Sequence, residues 1–184
     1  MKTIKKLSIF VLSFILIVNL SACNKGGNMN RVVITMEDGK SMTIDLYPNK
    51  APKTVANFQK LVKEEFYDGL VFHRIVEDFV IQGGDPQGTG LGGSDENIFG
   101  EFAANGFPQN DLTHKKGSVA MARAQDPNSA SSQFYICIED QPLLDGMYAV
   151  FGQVVKGLEA IEQIEAEFLD GSNVRPVIKT IRFA

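Results

Sequence analysis

From Leu70 onward the chain breaks its apolar residues into short runs, LVFHRIV, DFVIQGG, GSVAMA, QFYICIE and YAVFGQVV, each closed by glycine, proline or charged residues. Runs this short suit strands better than helices, and many short strands with turn punctuation imply a sandwich or barrel rather than alternating βαβ units. The opening of the domain agrees: RVVITM, the turn EDGK and SMTIDLY read as a β-hairpin, and the closing VIKTIRFA alternates as a final strand. Two segments carry helical spacing instead. Residues 48–65 hold Pro52 near a helix start with Val55, Phe58, Leu61 and Val62 on one stripe, and residues 157–167 repeat Leu158, Ile161 and Ile164. With 184 residues, 44% of them hydrophobic, the chain has material for one well-buried core and not for two domains. No internal repeat of solenoid period occurs. The long middle, 85–116, is rich in Gly, Asp, Asn and Pro, and a loop of that length in a compact domain is usually functional.

The N-terminus has a different character. MKTIKK is cationic, LSIFVLSFILIVNL is a 14-residue apolar run, and LSAC follows at once. A membrane span needs roughly 20 apolar residues, so this pattern reads as a secretion signal. LSAC resembles the lipobox of bacterial lipoproteins, which implies cleavage before Cys23 and diacylglyceryl modification of its thiol. The expected organisation is a signal peptide over 1–22, a lipidated Cys23 with a polar, glycine-rich spacer over 23–30, and one domain over 31–184. Lipid on Cys23 would tether that domain outside the cytoplasmic membrane. The second cysteine, Cys137, sits in the apolar run QFYICI, so no disulfide framework is indicated. Of the 18 basic residues, Lys2, Lys5 and Lys6 precede Cys23; the remaining 15 face 22 acidic residues, a net of −7 that argues against nucleic acid as a partner.

Several familiar chemistries lack support. GTGLGG at 88–93 is followed by no Lys-Ser/Thr and lies in no βαβ unit, so it reads as a flexible turn and not as a phosphate loop. His73 and His114, the only histidines, have no cysteine or carboxylate at ligand spacing, and no metal or cofactor is expected. No G-x-S-x-G elbow surrounds Ser118, Ser131 or Ser132. Leu144-Asp145-Gly146 reads as a turn, with Asp145 serving the turn and not chemistry. What remains is Arg74, Phe79 and Gln82, with Met121, Ala122, Gln133, Tyr135, Leu143 and Leu144 further on. If 72–76 is a strand, Phe72, Arg74 and Val76 share a face, and in FVIQ strict alternation sets Phe79 against Gln82. Either a bulge or strand end falls within FVIQGG, or those two residues belong to different faces.

FHRIVEDFVIQGGDP, GSVAMARAQDPNSASSQFYICIED and LLDGMYAVFGQV, in that order, resemble the cyclophilin family of peptidyl-prolyl cis/trans isomerases across about 31–184. The resemblance implies a mainly β fold, a closed eight-stranded antiparallel barrel capped by two α-helices. It implies Arg74 as the catalytic arginine, Gln82 as the glutamine beside it, and Phe79 with Met121, Tyr135 and Leu144 as the pocket for the substrate proline, bordered by Val80. Ala122 and Arg123 fall along the substrate chain, Gln133 is a further substrate contact, and His73 and Tyr148 lie at the rim. The sequence departs from the common pattern at Leu143, where many members have tryptophan, at Tyr135 in place of phenylalanine, at Tyr148 in place of histidine, and in GLGGSDENIFG. The implied activity is rotation about X-Pro bonds, by a monomer without cofactor, acting on unfolded exported polypeptides. A proline-peptide-binding or holdase module with little catalysis is the alternative.

Overall fold

The computed structural model describes residues 28–172 and 175–184; the signal-peptide segment and Cys23 lie outside them. The hairpin forms as its alternation dictates. Strand β1 (Arg31–Met36) pairs antiparallel with β2 (Ser41–Leu46), Arg31 opposite Asp45 and Ile34 opposite Met42, so Val32, Ile34, Met42 and Ile44 all face inward. Helix α1 (Pro52–Lys63) follows, then β3 (Arg74–Val76), β4 (Val80–Gly83), β5 (Ser118–Met121), β6 (Phe134–Cys137), β7 (Val150–Lys156), α2 (Leu158–Glu167) and β8 (Ile178–Phe183). All eight strands join one sheet in the order β3-β4-β6-β5-β7-β2-β1-β8, and every ladder in it is antiparallel.

The closed barrel implied by the resemblance is corrected here: the sheet curls without closing, and β3 and β8 remain its edges. The reason is local. Strand β3 stops after three residues, and the chain just before it meets the approach to β8 through a single bridge, Val71 to Val177, with backbone bonds from Phe72 to Pro176 and between Gly69–Leu70 and Ile178. Connecting segments fill the seam where an eighth ladder would be needed. The short β3 also limits the length of open edge, which protects against pairing with another chain.

The inner face of the curl holds the main core. Phe58 of α1 stacks among Tyr67, Phe134 and Phe151 at centroid distances of 5.1 to 5.6 Å, and Phe72 meets Phe134 edge-on. Each such fully buried aliphatic or aromatic side chain contributes about 1.5–3 kcal/mol by leaving water. Helix α1 lacks a capping side chain of its own; instead the buried Glu101 carboxylate, reaching from the long loop, accepts the N–H groups of Lys53 and Thr54 and the Thr54 hydroxyl. That bond pins the loop to the helix start, where a negative charge is favoured. Helix α2 begins after Gly157, whose φ of 80° and closeness to the Ser41 carbonyl leave no room for a Cβ. Among the described residues no helix is long and apolar enough to cross a membrane.

Candidate active site

Strand register builds the site on the outer face of the sheet. Arg74 pairs directly with Gln82, and Val76 with Val80, so these four side chains share the face opposite the core residues Ile75 and Ile81. Phe72 does not belong with Arg74: it precedes the strand, is fully buried and packs in the main core. The conflict between Phe79 and Gln82 is resolved by a strand boundary. Strand β4 begins at Val80, and Phe79 lies in the preceding turn, where Asp78 has φ 54° and the Phe79 N–H bonds the Val76 carbonyl. Released from alternation, the Phe79 ring packs with Val80 on the outer face.

Val80, Ala120, Tyr135, Cys137 and Val150, one or two from each of β4, β5, β6 and β7, form a second apolar cluster there, with Phe79, Ala122, Leu144 and Tyr148 packed on it. Above this floor opens a pocket of about 180 Å³, below the roughly 300–1,000 Å³ of drug-sized sites and on the scale of a single side chain. Phe79, Val80, Tyr135 and Leu144 supply its apolar wall; Arg74, Gln82 and Arg123 supply its polar edge; Ala122 and Tyr148 complete it. Burial pushes the Cys137 thiol up to about 12, so that sulfur stays protonated within the floor.

Arg74 reaches the mouth from the exposed edge strand. Its guanidinium lies 5.6 Å from the Phe79 ring centroid, and its Nη1 stands 3.5 Å from Oε1 of Gln82. The Gln82 amide then donates through Nε2 to Oε1 of Gln133 at 2.9 Å, and Gln133 donates to the carbonyls of Gly92 at 2.7 Å and Gly90 at 3.1 Å. The glycine loop ending this chain is itself wound around Asp85, whose buried carboxylate accepts the N–H groups of Gln87, Thr89 and Gly90 at 2.6 to 2.9 Å. Burial alone would raise the Asp85 pKa; the surrounding backbone N–H donors outweigh it and hold the carboxyl below its usual range. GTGLGG, read from sequence as a flexible turn, is thus an ordered loop backing the arginine.

Four of the expected site residues stand outside the pocket. Met121 is corrected to a core residue: β5 alternates, so Met121 and Val119 enter the main core while Ala120 takes the outer face. Leu143 is 92% exposed and turned to solvent on the short helix before Leu144. His73 is half-buried beside Gly90, with burial lowering its pKa, and Gln133 lines an adjoining groove of about 370 Å³ that also takes in Gln82, Leu91, Ala122 and Arg123. Arg123 separates pocket from groove, its guanidinium held over the rings of Tyr148 and Phe102 at 4.6 and 5.2 Å and donating to the Met147 carbonyl. Two residues given no site role stand just behind the pocket wall: His114 bonds the Tyr135 hydroxyl and Asp145 bonds His114. No spacing rule could have joined residues 31 positions apart.

The comparisons with known proteins agree with this geometry. The family model described as cyclophilin type peptidyl-prolyl cis-trans isomerase/CLD matches residues 31–182. Peptidyl-prolyl cis-trans isomerase B of Bacillus subtilis is 48% identical over 124 residues, 67% of this chain and 82% of its own length. The isomerase ppi1 of Schizosaccharomyces pombe is 46% identical over 135 residues, 73% and 84% of the two chains. A Cryptosporidium parvum cyclophilin-type isomerase, crystallised in the presence of the dipeptide Ala-Pro, superposes with a TM-score of 0.74 at 31% identity, over 84% of this chain and 98% of that one. With the arginine, the glutamine pair and the side-chain-sized apolar pocket in one place, this chain belongs to the cyclophilin-type peptidyl-prolyl cis-trans isomerases.

Proposed function

We propose that this protein accelerates rotation about X-Pro bonds of exported polypeptides while tethered outside the cytoplasmic membrane through Cys23. The observation that carries the catalytic part is a guanidinium at the mouth of a proline-sized apolar pocket. Amide resonance gives the X-Pro bond a barrier of roughly 18–20 kcal/mol, and rotation must break that conjugation. As the bond twists, the proline nitrogen pyramidalises and localises a lone pair. A fixed arginine donor stabilises that nitrogen more than it stabilises the planar amide, which is the differential binding catalysis requires. The pocket holds the ring still, and its low polarity favours the less charge-separated twisted amide. A gain of about 5 kcal/mol from these effects corresponds to a few thousand-fold in rate. The chemistry makes and breaks no covalent bond, so the side chains named suffice.

The exported clients follow from the signal-like N-terminus and the lipobox resemblance, because secretion delivers unfolded chains whose folding slow proline steps can limit. An X-Pro peptide assay, protease-coupled or by NMR exchange, tests the enzyme: Arg74→Ala is expected to lose about a hundredfold or more in kcat/KM, and parity with the wild type would remove the catalytic role. Membrane fractionation of Cys23→Ala tests the tether, with release into the soluble fraction expected and unchanged tight association counting against lipidation.

A further inference from the structure

Behind the pocket wall lies a chain of three side chains that bond rotation does not itself use. The Tyr135 ring faces the pocket, but its hydroxyl points away and lies 3.0 Å from Nε2 of His114. On the other side of the imidazole, Nδ1 is 2.9 Å from Oδ1 of Asp145, which also accepts the His114 backbone N–H at 2.7 Å. The His114 side chain is wholly buried, its ring lies 13° from parallel to that of Tyr135, and Tyr148 meets both rings edge-on. The three members come from β6, from the end of the long loop and from the turn after the 142–144 helix. Folding brings them together.

The proton positions follow from which atoms can donate. A carboxylate only accepts, so the proton between Asp145 and His114 belongs to Nδ1. Burial lowers the pKa of His114 against the opposing pull of Asp145, and raises that of Tyr135 well above its ordinary value, so imidazole and phenol are both neutral at pH 7. Nε2 is therefore a bare lone pair, and the proton between it and Tyr135 is the phenol's own. We infer that Asp145 and His114 are positioning residues that turn the Tyr135 O–H out of the proline pocket, so that this tyrosine offers the substrate only the apolar face of its ring. With the opposite imidazole tautomer, Nε2–H would donate to the phenol oxygen and the hydroxyl proton would turn away from His114, losing the acceptor it has there.

The inference rests on the isomerase reading of the pocket, and an inactive wild type would reject that reading before this one is tested. Given activity, the decisive variant is Asp145→Ala, which removes the Oδ1 acceptor shared by Nδ1–H and the His114 backbone N–H and frees the imidazole to carry its proton on Nε2. Nitrogen-15 NMR of the imidazole at pH 7.5 should show Nδ1 protonated in the wild type and Nε2 protonated in Asp145→Ala. Kinetics on a cis-enriched Ala-Pro peptide should show KM raised about three- to tenfold by Asp145→Ala with kcat within about twofold. In a Tyr135→Phe background, with no hydroxyl to misplace, the same substitution should leave KM within about 1.5-fold of its parent. A wild-type Nε2–H tautomer, or an equal KM penalty in both backgrounds, would overturn the proposal, since a merely structural Asp145 would act alike in each.

Discussion

At the scale of single residues, glycine 92 shows how tightly the site is built. A Cβ added there would collide with the Asp85 carboxylate, and Asp85 cannot retreat because the loop is wrapped around it. The Gly92→Ala change should therefore displace the Gly92 carbonyl that anchors Gln133, loosening Gln82 and then Arg74. We expect kcat/KM to fall about three- to thirtyfold with the domain still folded by circular dichroism, a range set by positioning errors of a fraction of an ångström; full activity with a displaced loop would refute the relay. Residue identity was also where sequence was most and least informative. The pocket's nine lining residues were all named from three motifs. Met121 was misplaced because every residue of SVAM is buried, on one face or the other, and polarity then carries no sign of which face is which. His114 and Asp145 were invisible as a pair for want of any local pattern.

Among elements, the turn between β3 and β4 has the largest consequence for its size. It frees Phe79 from strand alternation, and it is held from two sides: Glu165 of α2 accepts the Asp78 N–H at 2.7 Å, and Gln141 donates to the Asp78 carbonyl at 2.8 Å. Removing the carboxylate in Glu165→Ala should cost about 1–2 kcal/mol in urea unfolding, as for a hydrogen bond to a charged group, and lower kcat/KM about two- to fivefold through a mobile Phe79. Loss of stability with unaltered kinetics would confine α2 to a structural role. Strands and helices were readable because hydrophobic period reports them directly. The boundary inside FVIQGG was readable only as a contradiction, two residues wanted on one face that alternation kept apart, and the turn is its physical answer.

Over the whole molecule, acid should act in two stages. His114 is buried neutral, its folded pKa below that of the unfolded chain, so its contribution is present above about 6.5 and is lost as pH falls below that value. Asp45 bonded to Arg31, Asp68 bonded to Arg182, and Asp85 held by backbone donors are also depressed, and their contributions persist above about 3.9 and vanish below it. Denaturant unfolding from pH 7.5 to 3 should show a first decline that His114→Gln lessens, His73 supplying the remainder, and a steeper second one that it leaves. A flat profile down to pH 4.5 in the wild type would contradict the buried neutral histidine. Closure of the sheet was not legible in the sequence, because it depends on how two connecting segments meet at the seam and not on any strand's own pattern.

The glutamine relay has a sense of direction. Each amide turns its oxygen toward Arg74 and its nitrogen toward the glycine loop, so neither can flip without setting like against like at the next link. For the drift of such sequences this means that exposed loop positions near Gly90, with no contact to substrate, are expected to tolerate mutation no better than the pocket itself. A map of permitted substitutions should then trace the relay outward from the arginine as a narrow corridor of constraint, reaching the surface at a place that looks dispensable.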